Sequence, residues 1–382
     1  MASSLVLLTG ATGFIGFRIL IELLQQGYSV RAAVRSAAKG QWLASRLHAV
    51  LQGVEFEHKV QFTIVPDFVQ PDAFENAVKD ACFIIHVASP ITSSDNPEDW
   101  ERDFKQVAIK GTAGLLESAY KSPSVRRIVV TSSMVALFSQ KALFGEPSEA
   151  PLSANSRIPG MEPPYAHKML AYQAGKIASL ERAEAWVDER KPSFDIIHMH
   201  PSFVTGRDDL ATTRGDLRKF SSNWHSMQIV LGNNNTIGKP LLTCHNDDVA
   251  RCHVLALGSH VAGNQSFLIS CSPEDGSEWD DVKKFVQRDF PDAVAAGILA
   301  NNGTMPTVNK GVRFDVKKTE ETFQFKHVPY EAQVLDVIRQ YLELPEEERI
   351  TTEMTRPTAK SSEWVRALLR LWRGFFSMLR IL

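Results

Sequence analysis

The sequence predicts an α/β fold built on a doubly wound parallel sheet, with a smaller C-terminal lobe and an appended amphipathic helix. Three observations carry this. Short apolar runs alternate with longer amphipathic stretches through the first two hundred residues, the rhythm of parallel strands joined by helices. The first run, Leu5 to Leu8, passes directly into Gly10, Gly13 and Gly16 and then into the helical spacing of Phe14 to Leu24. After Pro201 the rhythm breaks and polar, loop-rich sequence takes over.

Composition sets the outer limits. With 382 residues, 44% of them hydrophobic, the chain has material for a large core in one domain or two lobes. A net charge of −2 gives no argument for nucleic acid. Cys82, Cys244, Cys252 and Cys271 show neither close pairing nor metal spacing, which fits a reducing, cytoplasmic compartment. The N-terminus has no basic n-region before its apolar run, so no signal peptide is expected. No uncharged apolar run is long enough to span a bilayer.

The elements follow in order. Strand, glycine turn and helix at 5–24 form the context in which a glycine motif binds a dinucleotide, the Rossmann arrangement. Gly10 permits the tight turn, Gly13 lets the backbone approach a pyrophosphate, and Gly16 lets the helix pack close. Thr12, Phe14 and Ile15 complete the loop and first helical turn, whose free N–H groups face the phosphates. The spacing is G-x-x-G-x-x-G rather than the more familiar G-x-G-x-x-G. Ser29–Arg35 reads as the second strand, alternating Val30, Ala32 and Val34 with arginines. From Arg31 to Gly40 there is no acid to take a ribose 2′-hydroxyl. Arg35 and Lys39 instead fit a clamp on a 2′-phosphate, with a solvated strand end as the plain alternative.

Val60–Pro66 is the third strand, followed by Asp67, a candidate acceptor for the adenine amine and equally a turn aspartate. Cys82–Ala88 is a near-continuous apolar strand in which His86 reads as packed. Ala88, Ser89 and Pro90 sit where ligands bind in open α/β sheets; Ala88 is assigned to the cofactor, Ser89 and Pro90 to the substrate. Asp99–Lys121 reads as one long helix, and Val125–Ser133 as a strand ending in Thr131-Ser132-Ser133. Residues 139–163 look like a loop and Pro164–Arg190 like a helix. Phe194–His200 is the next strand, closed by Pro201, with Val204 beyond it at the cofactor side. His198 and His200 share a face, and core packing is the reading for both. Asp247–Gly258 is helical, Ser266–Cys271 a short strand, and 278–343 holds two or three helices. The expected division is 1–202 with 238–272 as the nucleotide-binding domain and 203–237 with 273–344 as the substrate lobe. A linker at 345–361 leads to a helix at 362–382.

Chemistry concentrates at Tyr172 and Lys176, one helical turn apart on one face. A free phenol is a poor acid at neutral pH. A neighbouring lysine cation favours the phenolate, so the tyrosine can pass a proton to or from a carbonyl oxygen. Ser133 is the hydroxyl expected to orient that carbonyl, with Ser132 as fallback. Tyr165 has Met169 four residues on and lacks the cationic partner. No metal site is expected.

These stretches resemble the extended short-chain dehydrogenases/reductases, in particular the dihydroflavonol-reductase and cinnamoyl-CoA-reductase group with its fungal ketone and aldehyde reductases. The likeness rests on Thr9–Gly16, Val34-Arg35, His86–Pro90, Lys110-Gly111-Thr112, Val130–Ser133, Tyr172–Lys176, Pro201–Gly206 and Asp247–Leu257. It implies an NADPH-dependent carbonyl reductase with Ser133, Tyr172 and Lys176 as its triad, acting on a small molecule as a monomer or homodimer. Gly175 departs from the serine usual before the lysine. Phe138 stands where plant flavonoid reductases carry asparagine, which implies a more apolar substrate. Sterol dehydrogenases and sugar-nucleotide epimerases share the triad, and a non-catalytic NADP-sensing module shares the glycine loop.

Beyond 345 the family pattern has no counterpart. In a helix at 362–382, Arg366, Arg370, Arg373 and Arg380 project within a wedge of roughly 80°, and large apolar residues cover most of the rest. That pattern suits a helix lying in the cytosolic interface of a membrane. Docking on the protein's own body and a dimer contact are the alternatives.

Overall fold

The computed structural model describes residues 4–53, 55–89, 94–143, 151–218, 221–271, 276–308 and 314–346. Pro90 and the expected C-terminal helix lie outside the described residues. The central sheet has seven strands: β1 (Leu5–Thr9), β2 (Ser29–Val34), β3 (Val60–Ile64), β4 (Phe83–His86), β5 (Arg127–Thr131), β6 (Asp195–Pro201) and β7 (Gln265–Ile269). Their order is β3-β2-β1-β4-β5-β6-β7, and every pair is parallel. The predicted doubly wound α/β fold is what the chain forms.

Strand alternation explains why both faces are covered. Val6 and Leu8 enter one core cluster, with Val30, Ala32 and the buried face of helix α1 (Phe14–Gln25). Leu7, between them, enters the opposite cluster with Ile84, Ile128 and Ile196. Helices α3 (Val107–Tyr120) and α4 (Lys168–Arg190) cover that second face through Leu115, Leu116, Ala183 and Trp186. The winding reverses between β1 and β4, which opens a crevice at their carboxyl ends. Thr9 ties that point together: its Oγ1 accepts from the N–H groups of Val87 (3.2 Å) and Ala88 (3.1 Å).

Several elements differ from expectation. Helix α2 (Ala37–Val50) follows β2 at once, its N-terminus capped by Ser36 accepting from the Lys39 N–H at 3.3 Å. The helix expected over 99–121 is a short turn at Pro97–Trp100, a widened π-type stretch at Glu101–Gln106, and then α3. Helix α4 starts at Lys168 rather than Pro164, because His167 is extended. The expected loops contain short elements: Gln140–Leu143 and Trp224–Val230 are helical, and Leu152–Ser153 pairs with Phe314–Asp315. A separate core cluster forms in the C-terminal half, where Trp279, Val282 and Val286 pack on Met227, Val334 and Ile338.

Candidate active site

The glycine loop meets its steric demands in two ways. Gly10 has φ +76°, and a Cβ there would lie 2.7 Å from the Ala88 nitrogen. A Cβ at Gly16 would lie 2.1 Å from the Gly10 oxygen. Both glycines are therefore required by the protein's own packing. Gly13 is different: it is exposed, and its nearest obstacle is the Gly10 oxygen at an ordinary 3.5 Å. No side chain caps the N-terminus of α1 at Gly13. An open glycine face before uncapped N–H groups fits a pyrophosphate.

Arg35 and Lys39 are exposed at the end of β2 and the first turn of α2. The Lys39 ammonium stands 4.6 Å from the centre of the Trp42 ring. Asp67 holds its own turn, accepting from Gln70 Nε2 (2.8 Å) and the Val69 N–H (3.1 Å). These bonds, with the Arg35 charge nearby, hold its carboxyl below the ordinary value. Asp67 therefore serves its own turn, within reach of the Arg35 charge.

At the far side of the crevice, β5 delivers Ser133 and α4 delivers Tyr172 and Lys176. Ser133 starts a tight turn at Met134–Ala136, its Oγ accepting from the Val135 N–H at 3.4 Å. The Ser133 hydroxyl lies beside the Tyr172 phenol and acts on its proton. Burial raises the Tyr172 phenol above its ordinary value, and the neighbouring Ser133 hydroxyl pulls it part of the way back. Lys176 is buried; its Nζ donates to the Thr131 carbonyl at 3.3 Å and lies 5.8 Å from the Tyr172 ring centre. Burial lowers it to about 8. The lysine effect on the phenol expected from spacing is thus not what dominates here: desolvation is. The edge of Phe104 closes on Tyr172 at 6.2 Å.

The remaining candidates separate cleanly. Ser132, the fallback, is buried, and its backbone is fixed to the Met199 carbonyl at 2.7 Å. Tyr165 donates to the Glu101 carboxylate at 2.5 Å and packs with Trp100 and Ala171. His86 pairs with Thr9 Oγ1 at 2.9 Å, and burial lowers it to about 4. His200 reaches the Ser133 carbonyl and Ser266 Oγ, each at 3.2 Å, and is held neutral by burial. Pro201 ends β6, and Val204 lies buried in a short strand paired with Thr243–His245. Ser89 is half-buried beyond β4. Phe138 is corrected: at 1% exposure it packs edge-on against Phe314 at 5.3 Å, so it is a core side chain rather than a cleft wall.

One residue escaped the sequence reading. Gln173 is buried beside Tyr172, and its Nε2 donates to the carbonyls of Val135 (3.0 Å) and Phe138 (2.8 Å). It clamps the turn that begins at Ser133 onto the helix that carries Tyr172. Its signal was a long amide on the inward face of α4, hidden inside a variable position of the Y-x-x-x-K motif.

Residues 6–270 match the model of the NAD dependent epimerase/dehydratase family. The chain belongs to this family. Ketoreductase CTB6 of Cercospora beticola is 75% identical over 348 residues, covering 91% of this chain and 98% of that protein. Ketoreductase sphI of Aspergillus fumigatus is 28% identical, covering 90% and 99%. In three dimensions the yeast methylglyoxal/isovaleraldehyde reductase Gre2, solved with NADPH, superposes with a TM-score of 0.72 at 24% identity, covering 89% and 98%. This family member is an oxidoreductase.

Proposed function

We propose that the protein reduces a ketone or aldehyde on a small, fairly apolar molecule to an alcohol, with NADPH as cofactor. The observation that carries the reading is the Ser133 hydroxyl beside the Tyr172 phenol, with the buried Lys176 amine 5.8 Å from that ring, at the carboxyl edge of a sheet whose glycine loop stands open. The name of the 75%-identical ketoreductase supports the reaction class. NADPH in the Gre2 structure, with Arg35 and Lys39 at the end of β2, supports the phosphorylated cofactor.

In this reading the glycine loop and the N-terminus of α1 hold the pyrophosphate, and Arg35 and Lys39 hold the 2′-phosphate. The nicotinamide supplies the hydride when bound. Ser133 donates a hydrogen bond to the carbonyl oxygen and so polarises it. Tyr172 passes its proton to that oxygen as charge develops there. A phenol raised by burial is a proton donor at neutral pH, which is what reduction asks of it. Lys176 stabilises the phenolate left behind and holds the ribose hydroxyls. Gln173 and His200 keep Ser133 in place from two sides.

The test is cofactor oxidation followed at 340 nm with NADPH against NADH, over aliphatic and aromatic ketones and aldehydes. NADPH is expected to be preferred, and Tyr172→Phe to lower kcat by about 10²–10⁴. A Tyr172→Phe protein that keeps its turnover contradicts the mechanism. NADPH binding without turnover of any carbonyl favours the sensing module.

A further inference from the structure

The C-terminal half holds a lysine that lacks a counter-charge. Lys239 sits in a short strand with Pro240, and its Nζ lies 3.4 Å from Nδ1 of His225. Among the described residues no acidic side chain pairs with it. Burial lowers its amine below the ordinary value, and burial together with the Lys239 charge holds His225 neutral, at about 3. The pair is boxed by aromatic rings: His225 meets Phe203 at 4.8 Å and Trp279 at 5.6 Å, both edge-on. The Trp279 indole donates to the Lys239 carbonyl at 3.1 Å, which fixes the strand.

Lys239 is half-buried, and the fully buried cations show what a structural role looks like here. Arg127 is paired with Asp195 and Lys105 with Glu162. Among the described residues the fully buried cation without an acidic partner is Lys176, and it stands in the candidate active site. Lys239 resembles Lys176, not Arg127. Its placement is also suggestive. Phe203 follows β6 at the carboxyl edge of the sheet and packs both on the cluster behind Ser133, which includes Leu137, and on the C-terminal cluster. The line Phe203–His225–Lys239 therefore runs from the catalytic edge into the half of the chain that would hold the rest of a substrate. An amine held by a neutral imidazole and without an acidic partner, at the end of an aromatic wall, recognises an anionic oxygen attached to a flat, apolar body.

We propose that Lys239, seated on His225, binds an acidic oxygen of the substrate, a carboxylate or an ionised phenol remote from the reacting carbonyl. This rests on the reductase reading and narrows it to acidic aryl ketones or aldehydes. The experiment compares 4-acetylbenzoate, its neutral methyl ester and ionised 4-hydroxyacetophenone as substrates with NADPH, in wild type, Lys239→Met and Lys239→Arg. Wild type is expected to favour an anionic ketone over the ester. Lys239→Met should lower that preference tenfold or more through KM, and Lys239→Arg should retain it within threefold. Which anion suffers more in Lys239→Met distinguishes the carboxylate from the phenol. A preference unchanged in Lys239→Met overturns the proposal, and Lys239→Gln repeats the test should the methionine variant not fold. Calorimetric titration of 4-acetylbenzoate into the NADP⁺-loaded protein reads the site without turnover. Binding lost in Lys239→Met supports the anion site, and only when wild type reduces no carbonyl of the wider panel does it also overturn the reductase reading. Turnover with no Lys239-dependent binding does the reverse.

Discussion

Lys176 lies against the Thr131 carbonyl with no acid paired to it among the described residues, and burial holds its amine at about 8. The native state then binds this proton less tightly than the unfolded chain, whose lysines titrate near 10.5. At neutral pH the charged lysine therefore costs stability, about 3 kcal/mol for a shift of that size. The cost is fully present below pH 8 and fades as pH rises from 8 towards 10.5. Lys176→Met should raise the melting temperature of the cofactor-free protein by several degrees while abolishing reduction. A melting temperature that falls would contradict the burial argument. Gln173 makes a complementary case. Gln173→Met keeps its bulk but removes the donor to Val135 and Phe138, so the Ser133 turn loosens. A tenfold or greater drop in kcat is expected with the NADPH dissociation constant unchanged, and equal losses in both would point to a general structural role. The meeting of Ser133, Tyr172 and Lys176 was legible because the proposed chemistry dictates a spacing and a strand end. Gln173 was not, because nothing in a sequence says which way an amide on a helix points. Phe138 was misread for the same reason: its side chain is spent on Phe314.

At the scale of elements, the order and direction of the strands were legible from apolar runs and breaks. The helix before α3 was not. Its widened turn at Glu101–Gln106 brings the Phe104 backbone so near α4 that a Cβ at Gly175 would lie 2.9 Å from the Phe104 oxygen. The family's usual serine is absent where the neighbouring helix leaves no room for it. Arg127 welds the other side of the sheet. It pairs with both oxygens of Asp195 (2.6 and 2.9 Å) and donates to the carbonyls of Ala256, Gly258 and Val261. Removing one partner of a buried, hydrogen-bonded pair costs about 3–5 kcal/mol. Arg127→Met should lower the urea midpoint by that much stability, and a loss under 1 kcal/mol would show that water replaces the guanidinium.

At the scale of the molecule, buried histidines set the acid limit. His86, His198 and His253 are held at about 4 and His225 at about 3, chiefly by burial, with the Lys176 charge adding to it at His86 and the Lys239 charge at His225. The unfolded chain takes up these protons near 6.5, so the contribution to stability is intact above that pH and is lost as pH falls towards 4. At pH 5 each histidine costs about 2 kcal/mol, and four together rival the whole stability of a typical fold. Circular dichroism should show unfolding with a midpoint near pH 5; a protein fully folded at pH 4 would contradict this. The C-terminal half was the least legible part, because its core joins Met227, Trp279 and Val334 across a hundred residues of sequence. Local periodicity carries no record of such pairing, and Lys239 and His225 went unnoticed for that reason.

The proposed reaction is hydride transfer to a carbonyl carbon with Tyr172 as proton donor. The most direct measurement is a single turnover with NADPH deuterated at the transferable position, on a ketone that the protein consumes, with the product read by mass spectrometry. One deuterium is expected on the new alcohol carbon, and Tyr172→Phe is expected to bind NADPH normally and form no labelled alcohol. A label that stays with the cofactor while the substrate changes configuration would instead mark an epimerase and contradict the account.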